Sequence, residues 1–347
     1  MILTRGYLSI LIIIEICINM RIHFFDRHII SDTISIEKVF SVIKNCLDKE
    51  GFEVKTFMNP YPGLSQMFKA MLFFKRNQGD INHISGDIHW ACLLLNSNKT
   101  ILTIHDLVGI GNYSSKLKKF LYKLIWLYFP LKKAKFITVI SEKTEQEILN
   151  YYPWAKSKIR VIHNPLTNEP FFREPVENDK FKILIVGTRQ NKNVERILEA
   201  VKDLDIEVLI VGETTSEQNQ KIKTNKSLTF VKGFITDEEL VALYRTCDVL
   251  CFPSLYEGFG MPIIEAQSNG CAVITSDMEP MRSVSGNSAL LVDPYSVEDI
   301  REKILILIHD FEKRKEMVAN GYENAKRFLP EEITRQYIEL YKEVLHG

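Results

Sequence analysis

The segment most informative about the fold is Pro253-Ser-Leu-Tyr-Glu-Gly-Phe-Gly-Met-Pro-Ile-Ile-Glu-Ala-Gln-Ser-Asn-Gly270. It follows the apolar run Val249–Phe252, so it begins where a buried strand is expected to end. Pro262 is a favoured first-turn residue, and the pattern predicts a helix over 262–269 that Gly270 closes. A strand, a glycine-containing loop and a helix in this order are typical of an α/β domain with a parallel sheet.

The loop in this stretch has the chemistry of a diphosphate site. Gly258 and Gly260 leave the backbone without side-chain bulk, so its N–H groups and the positive end of the helix can bind an anion. We expect Glu265 in the first turn of the helix, where its charge is favoured and its carboxylate can accept from a ribose diol. Glu257 lies in the loop, within reach of sugar hydroxyls beyond the phosphates. Each residue alone is also consistent with ordinary turn chemistry, but the combination favours a binding site.

Short apolar runs alternate with helical patterns along the rest of the chain. The first half has predicted strands at 21–26, 52–57, 81–84, 101–104, 136–140 and 159–162. The second half has them at 182–187, 206–211, 228–231, 248–252, 272–275 and 289–292, and helical patterns such as 35–47 and 114–127 lie between strands. Residues 164–179 contain three prolines and no apolar period, which is typical of a linker. We therefore predict two doubly wound domains, with ligands in a cleft at the carboxyl ends of the strands.

The composition excludes several classes of protein. The 347 residues are 46% apolar and 25% charged, as in a soluble globular protein of about two domains. The 44 Lys and Arg balance 44 Asp and Glu, which argues against nucleic acid as a partner. The six cysteines have no zinc-type spacing, and we interpret them as buried reduced thiols of a cytoplasmic protein without a metal site. A Walker A motif is absent and Gly109-Ile-Gly111 lacks the third glycine of a dinucleotide motif, which argues against P-loop chemistry and hydride transfer.

Residues 1–19 do not fit this picture. An apolar run over 7–19 carries Glu15 at its centre, and it is too short for a spanning helix. No signal-peptide cleavage site follows it, and Met20 opens the first predicted strand. Three interpretations stay open: an upstream extension from a misassigned start, a weak membrane anchor, or an extra packed element.

The stretch around Glu257 and Glu265 resembles the donor-site signature E-x7-E of glycosyltransferase family 4, the retaining nucleotide-sugar enzymes of GT-B fold. The resemblance covers most of residues 180–310 and is looser in the first half, at 103–107 and 141–144. It implies two Rossmann-like domains with an interdomain cleft. Their expected bounds are an acceptor-binding domain over 20–165, a linker over 166–179, a nucleotide-sugar-binding domain over 180–328 and a C-terminal helix in 329–347 that returns to the first domain.

The resemblance also implies roles for single residues. Arg189 and Lys192, in a turn that opens the second domain, would hold the donor diphosphate and neutralise the leaving nucleotide. Glu265 would bind the ribose, and His105 would face the transferred sugar from the first domain as a catalytic residue. The other residues that would hold the sugar are the catalytic Glu257 and the backbone of Gly258, Phe259 and Gly260.

The implied reaction is transfer of a hexose, with retention, from a nucleotide-sugar to a glycan or lipid-linked saccharide in cell-surface polysaccharide synthesis. The resemblance implies a metal-independent enzyme with no cofactor besides its donor. Where relatives often carry Glu-Val-x-Gly, this chain has Ser283-Val-Ser-Gly286, and we expect that position to be peripheral. A GT-B nucleotide-sugar epimerase and a non-catalytic nucleotide-sugar-binding protein stay open as alternatives. The base, sugar, acceptor, linkage and oligomeric state stay open too.

Residues 114–135 combine basic and aromatic side chains. The lysines are Lys116, Lys118, Lys119, Lys123, Lys132, Lys133 and Lys135, and the aromatic residues are Phe120, Tyr122, Trp126, Tyr128 and Phe129. Such a segment can bind an anionic membrane surface, here the inner face of the plasma membrane. It is equally consistent with a helix that packs on the sheet and keeps its lysines in water.

Overall fold

The computed structural model describes residues 20–28, 35–107, 109 and 115–346, and it divides the chain into two compact units. The first unit contains the chain up to Pro165 together with the residues from Pro330 onward, and the second is Leu166–Leu329. The three interpretations of residues 1–19 lie outside the described residues.

The first unit is built on a six-stranded parallel sheet with strand order β2-β1-β3-β4-β5-β6. Its strands are β1 (Arg21–Asp26), β2 (Glu53–Met58), β3 (Ile81–Ile84), β4 (Thr100–Ile104), β5 (Phe136–Val139) and β6 (Ile159–Val161). Neighbouring residues of β1 such as Phe24 and Phe25 point to opposite faces and are both fully buried. Helices therefore cover both faces of this sheet, as is usual for parallel strands.

The helices of the first unit differ from the predicted ones in their bounds. They are α1 (Ser35–Lys49), α2 (Met67–Arg76), α3 (Lys116–Tyr122), α4 (Phe129–Lys133) and α5 (Glu142–Tyr151). The predicted helix over 114–127 is observed as α3 followed by a π-helical turn over Lys123–Tyr128, which runs directly into α4. Leu127 of this turn is buried at 1% exposure, so the wider turn brings an apolar side chain into the core.

The second unit repeats the same architecture with strand order β12-β11-β10-β7-β8-β9. Its strands are β7 (Lys182–Val186), β8 (Glu207–Val211), β9 (Leu228–Lys232), β10 (Val249–Phe252), β11 (Ala272–Ser276) and β12 (Leu290–Val292). Its helices are α6 (Val194–Ala200), α7 (Ser216–Thr224), α8 (Asp237–Thr246), α9 (Met261–Ser268), α10 (Met281–Ser285), α11 (Val297–His309) and α12 (Phe311–Ala325). The prediction of two doubly wound units is confirmed, and each predicted strand end lies within one residue of the observed one.

The last helix, α13 (Pro330–His346), belongs to the first unit and packs against α1. A buried polar chain fastens it to the sheet: His83 Nδ1 lies 2.7 Å from the Tyr341 hydroxyl, and His83 Nε2 lies 2.8 Å from Thr103 Oγ1. Burial lowers the pKa of His83 to about 3, so this imidazole is neutral at physiological pH.

The segment over 166–179, expected to be a linker, lies on the second unit. The backbone N–H of Leu166 donates to Phe328 O at 2.7 Å, and that of Phe171 donates to Ser268 O at 2.8 Å. Near its end, Asn178 Nδ2 donates to the carboxylate of Asp248 at 3.0 Å. The segment is therefore tied to the second unit at several points.

The cysteines are free thiols wherever the structure describes them. Four are buried, and burial raises the pKa of Cys251 to about 12, which makes it an unreactive thiol. Cys46 is only half-buried on α1, so the expectation that every cysteine is buried was wrong for this residue.

Candidate functional site

The loop between β10 and α9 forms the centre of the candidate site. Gly260 precedes α9 with φ of 102° and ψ of 48°, a left-handed conformation that favours glycine. Its carbonyl accepts from the Ile263 N–H at 3.0 Å, and Pro262 is the second residue of the helix. Phe259 is 3% exposed and packs edge-to-face on Phe328, with ring centroids 5.7 Å apart. The phenyl ring thus anchors the loop in the core.

Lys192 and Glu257, which are 65 residues apart in the chain, form an ion pair in this site. Lys192 Nζ lies 2.6 Å from Glu257 Oε1, and the two side chains are 17% and 14% exposed. The same ammonium lies 4.5 Å from the centroid of the Phe252 ring, where the negative face of the ring stabilises it. Asn191 Nδ2 donates to Tyr256 O at 2.9 Å and ties the two loops together beside the pair.

Asn193 holds the turn after β7 in place. Its φ of 63° and ψ of 30° are left-handed, a conformation that asparagine tolerates better than most residues. Its buried Nδ2 donates to Pro253 O at 3.0 Å and to Pro294 O at 2.6 Å. The position of the Lys192 backbone therefore depends on the hydrogen bonds of Asn193. No role of its own was predicted for Asn193 from the sequence.

Glu265 occupies a different place in its helix than predicted. It is the fifth residue of α9, beyond the first turn, because the helix begins at Met261. The prediction of a first-turn residue favoured by the helix dipole was wrong. Its carboxylate instead accepts a hydrogen bond from the Tyr244 hydroxyl, which lies 3.0 Å from Oε2, and Thr167 Oγ1 lies 3.5 Å from Oε1.

Two further predicted residues lie at the carboxyl ends of strands. Arg189 follows β7 as the residue before a short 3₁₀ turn, and its side chain is exposed. His105 follows β4 in the first unit and is half-buried, with Nε2 2.8 Å from Ser85 O. Burial lowers the pKa of His105, which favours the neutral imidazole. The second unit thus brings Lys192 and Glu257 together, and a role for His105 toward the same ligand stays a prediction.

Ser283 and Gly286, at the position where the chain departs from the glycosyltransferase pattern, lie in and beside the short helix α10. The Ser285 carbonyl accepts from Gln267 Nε2 of α9 at 3.0 Å, so the segment packs against the helix that carries Glu265. Within the described ranges, no group of three or more His, Cys, Asp or Glu side chains is placed to hold a metal ion.

Two family models match the chain. The model described as "Glycosyl transferases group 1" matches residues 167–324, and "Glycosyltransferase Family 4" matches residues 29–169.

Curated relatives include O-antigen mannosyltransferases. The chain is 29% identical over 238 residues to O-antigen chain mannosyltransferase B of Escherichia coli, a match that covers 62% of each chain. It is 25% identical over 257 residues to the serotype-specific mannosyltransferase WbdA of E. coli, covering 66% of this chain and 32% of WbdA. The chain therefore spans less than two thirds of the length of these relatives.

Solved structures share the fold. The Anabaena protein HepE, crystallised with UDP and glucose, has a TM-score of 0.72 at 16% identity, over 93% of this chain and 100% of that chain. Sucrose-phosphate synthase from Thermosynechococcus elongatus has a TM-score of 0.71 at 18% identity, over 94% and 99%. These similarities identify the architecture as GT-B.

Proposed function

The chain belongs to the glycosyltransferases that these two models describe, and we propose that it transfers a sugar from a nucleotide-sugar donor to a saccharide acceptor. We propose surface-polysaccharide synthesis as the setting, because relatives along much of the chain are named as O-antigen mannosyltransferases. Their names also make a mannosyl donor the first to test. A solved structure of the same fold contains UDP and glucose, which supports a nucleotide-sugar as the donor.

The proposal rests on one observation: Lys192 and Glu257 form an ion pair beside the loop that precedes α9. A diphosphate needs cations and N–H donors, which Lys192, Arg189 and the backbone over 258–260 can supply. A sugar and a ribose need hydrogen-bond acceptors, which Glu257 and Glu265 can supply. In this proposal, groups of the second unit would bind every part of the nucleotide-sugar except its base.

The proposed reaction keeps the anomeric configuration of the sugar. The bond between the anomeric carbon and the diphosphate oxygen breaks, and the acceptor oxygen bonds to the same face of that carbon. The acceptor proton passes to the leaving diphosphate. Lys192 and Arg189 stabilise the negative charge that develops on the diphosphate, so the reaction needs neither a metal ion nor a cofactor besides the donor. Neutral His105 would contact the sugar from the first unit.

The test begins with a panel of nucleotide-sugars read by thermal shift, because a ligand at 100 times its Kd adds about 2.7 kcal/mol of stability. Turnover of the bound donor is then measured with glycan and lipid-linked acceptors. We expect Lys192→Ala and Glu265→Gln to lower turnover by about 100-fold or more with the fold intact. Lys180→Ala is the matched control, because Lys180 is an exposed lysine of the same unit that pairs with Asp205. Wild-type rates in both site variants would refute the site.

The products separate the alternatives. An isomerised donor without acceptor would indicate an epimerase, and binding without turnover would indicate a non-catalytic binding protein. The anomeric configuration of the product, read by NMR, tests retention. Full activity after chelation of divalent metal ions is expected, and its loss would overturn metal independence.

We also propose that α3 and the turn after it bind the cytoplasmic face of an anionic membrane. Leu117, Phe120 and Leu121 of α3 are 66%, 60% and 44% exposed, next to the lysines of the same helix. Solvated lysines alone do not account for exposed apolar side chains, whereas insertion at a lipid interface does. In the described part of the chain, no helix combines the length and the apolar character needed to cross a bilayer.

Flotation with vesicles that contain anionic lipid tests this surface. Wild-type protein should float at low salt and be released at high salt, since the lysines supply electrostatic attraction. The variant Leu117→Ser with Phe120→Ser should lose flotation. The control is Leu228→Ser with Phe230→Ser, which removes a leucine and a phenylalanine of the second unit that are 49% and 44% exposed. Wild-type protein that does not float at low salt would refute the membrane proposal.

A further inference from the structure

Tyr244 connects the interior of the second unit to the carboxylate proposed to bind ribose. The residue lies near the end of α8, and only 1% of it is exposed. Its hydroxyl donates to Glu265 Oε2 at 3.0 Å. A buried hydroxyl without a partner is unfavourable, so this hydrogen bond fixes the hydroxyl and the carboxylate together.

In this hydrogen bond the Tyr244 hydroxyl remains the donor and the Glu265 carboxylate remains the acceptor. Burial, together with the negative charge of Glu265, raises the pKa of Tyr244 well above its ordinary value. The phenol therefore keeps its proton throughout the physiological pH range and remains a donor. A hydrogen bond to an ionised carboxylate is also stronger than one between neutral groups.

The Glu265 side chain has three rotatable torsions and stands in the middle of α9, so a fixed partner is needed to hold its carboxylate in one orientation. Two adjacent ribose hydroxyls bind well only to a carboxylate whose plane is already oriented toward them. An ionised carboxylate accepts at about four lone-pair sites, so accepting from Tyr244 is compatible with accepting from a diol. The phenol is rigid and held by the core, unlike a flexible surface side chain.

We propose that Tyr244 is a positioning residue for the donor site: its buried hydroxyl holds the Glu265 carboxylate in the orientation that accepts the ribose diol of the nucleotide. This inference rests on the proposed function, in which Glu265 binds ribose. It adds a residue outside the E-x7-E stretch, on another helix, that acts through Glu265 and does not touch the donor.

The test uses Tyr244→Phe and two ligands, a nucleoside diphosphate that the wild-type protein binds and its 2′,3′-dideoxy analogue. In the wild-type protein, the dideoxy analogue should bind more weakly because it lacks the diol. Tyr244→Phe should raise the Kd of the ribose nucleotide by about tenfold, the effect of losing a charge-assisted hydrogen bond. It should leave the Kd of the dideoxy analogue within about twofold of wild type, because that ligand makes no use of an oriented Glu265.

Tyr341→Phe is the matched control, because it removes another fully buried hydroxyl, the one beside His83 in the first unit. Both variants should lower the melting temperature, but only Tyr244→Phe should weaken binding of the ribose nucleotide while it leaves binding of the dideoxy analogue unchanged. If Tyr244→Phe does not fold, Tyr244→Met fills a similar volume without the hydroxyl and gives the same comparison.

The outcomes separate the two proposals. Equal weakening of both ligands by the Tyr244 variant, or no weakening of either, overturns the positioning role and leaves the proposed function standing. A wild-type protein that binds no nucleoside diphosphate overturns the proposed function together with the inference. Discrimination lost in Tyr244→Phe and kept in Tyr341→Phe supports the positioning role.

Discussion

Lys192 Nζ lies 2.6 Å from Glu257 Oε1, so the cation proposed for the diphosphate is paired with the carboxylate proposed for the sugar. Both side chains are mostly buried, and removing one partner of such a pair leaves a charge in a poorly solvated place. A diphosphate that binds Lys192 must compete with Glu257 for the ammonium. Donor binding and the position of Glu257 are therefore coupled.

This competition predicts opposite effects of one substitution on two ligands. Glu257→Gln should strengthen binding of a nucleoside diphosphate without sugar by several-fold, because the negative charge that opposes the phosphates is gone. It should at the same time lower turnover of the nucleotide-sugar by about 100-fold, because the sugar loses its acceptor. Calorimetry measures the first effect and initial rates the second.

The control for this pair of measurements is Glu217→Gln, which neutralises an exposed carboxylate on α7 of the same unit. It should change neither quantity. Weaker binding of the nucleoside diphosphate by Glu257→Gln would show that the diphosphate and the Glu257 carboxylate do not compete for Lys192.

Asn193 gives the second prediction. Asn193→Ala removes the two hydrogen bonds to Pro253 O and Pro294 O and also places a less tolerant residue at φ of 63°. The free energy of unfolding should fall by about 2–4 kcal/mol, the sum of unsatisfied carbonyls and backbone strain. Asn193→Gly keeps the backbone conformation and should lose less stability than Asn193→Ala. Denaturant titration of both variants compares them, and an equal loss would remove backbone strain from the explanation.

The patterns in the sequence predict regular elements well and tertiary hydrogen bonds poorly. Buried parallel strands are recognisable as short apolar runs, which is why strands such as β10 were found to within one residue. The hydrogen bond from Tyr244 to Glu265 joins two helices that are separated by β10. The spacing of residues within one helix or strand therefore could not predict it. Asn193 carried only a weak signal, because asparagine tolerates the left-handed conformation better than most residues. The predicted helix starts at Pro262, whereas α9 starts one residue earlier, at Met261. This difference of one residue places Glu265 beyond the first turn.

His83 gives a prediction for acid stability. Its pKa is about 3 in the folded protein and 6.5 as its ordinary value, so the unfolded chain binds more protons between these limits. The contribution of His83 to the free energy of unfolding is therefore fully present above pH 6.5. It falls by about 1.4 kcal/mol per pH unit as the pH is lowered toward 3. His83→Gln should be less stable at pH 7 but show a shallower slope between pH 6 and pH 4, measured as unfolding free energy against pH.

The slope should be reduced and not abolished, because burial also lowers the pKa of His89 to about 4 and that residue titrates in the same window. His163→Gln is the control, since His163 is less buried and pairs with Glu142. An unchanged slope in His83→Gln would mean that the buried imidazole is not the acid-sensitive group.

Gly260 gives the last prediction, which concerns the loop before α9. An alanine there must adopt φ of 102°, and its Cβ would lie 3.1 Å from Ile263 Cδ1. Gly260→Ala should therefore lower the free energy of unfolding by about 1–3 kcal/mol and raise the KM for the donor, because the strained loop moves the N–H groups offered to the diphosphate. Gly233→Ala is the matched control: Gly233 has no positive φ, and a Cβ there meets no atom within 4 Å. Denaturant titration and donor kinetics of the two variants should separate them. Equal stability and equal KM would show that the left-handed conformation of Gly260 does not shape the donor site.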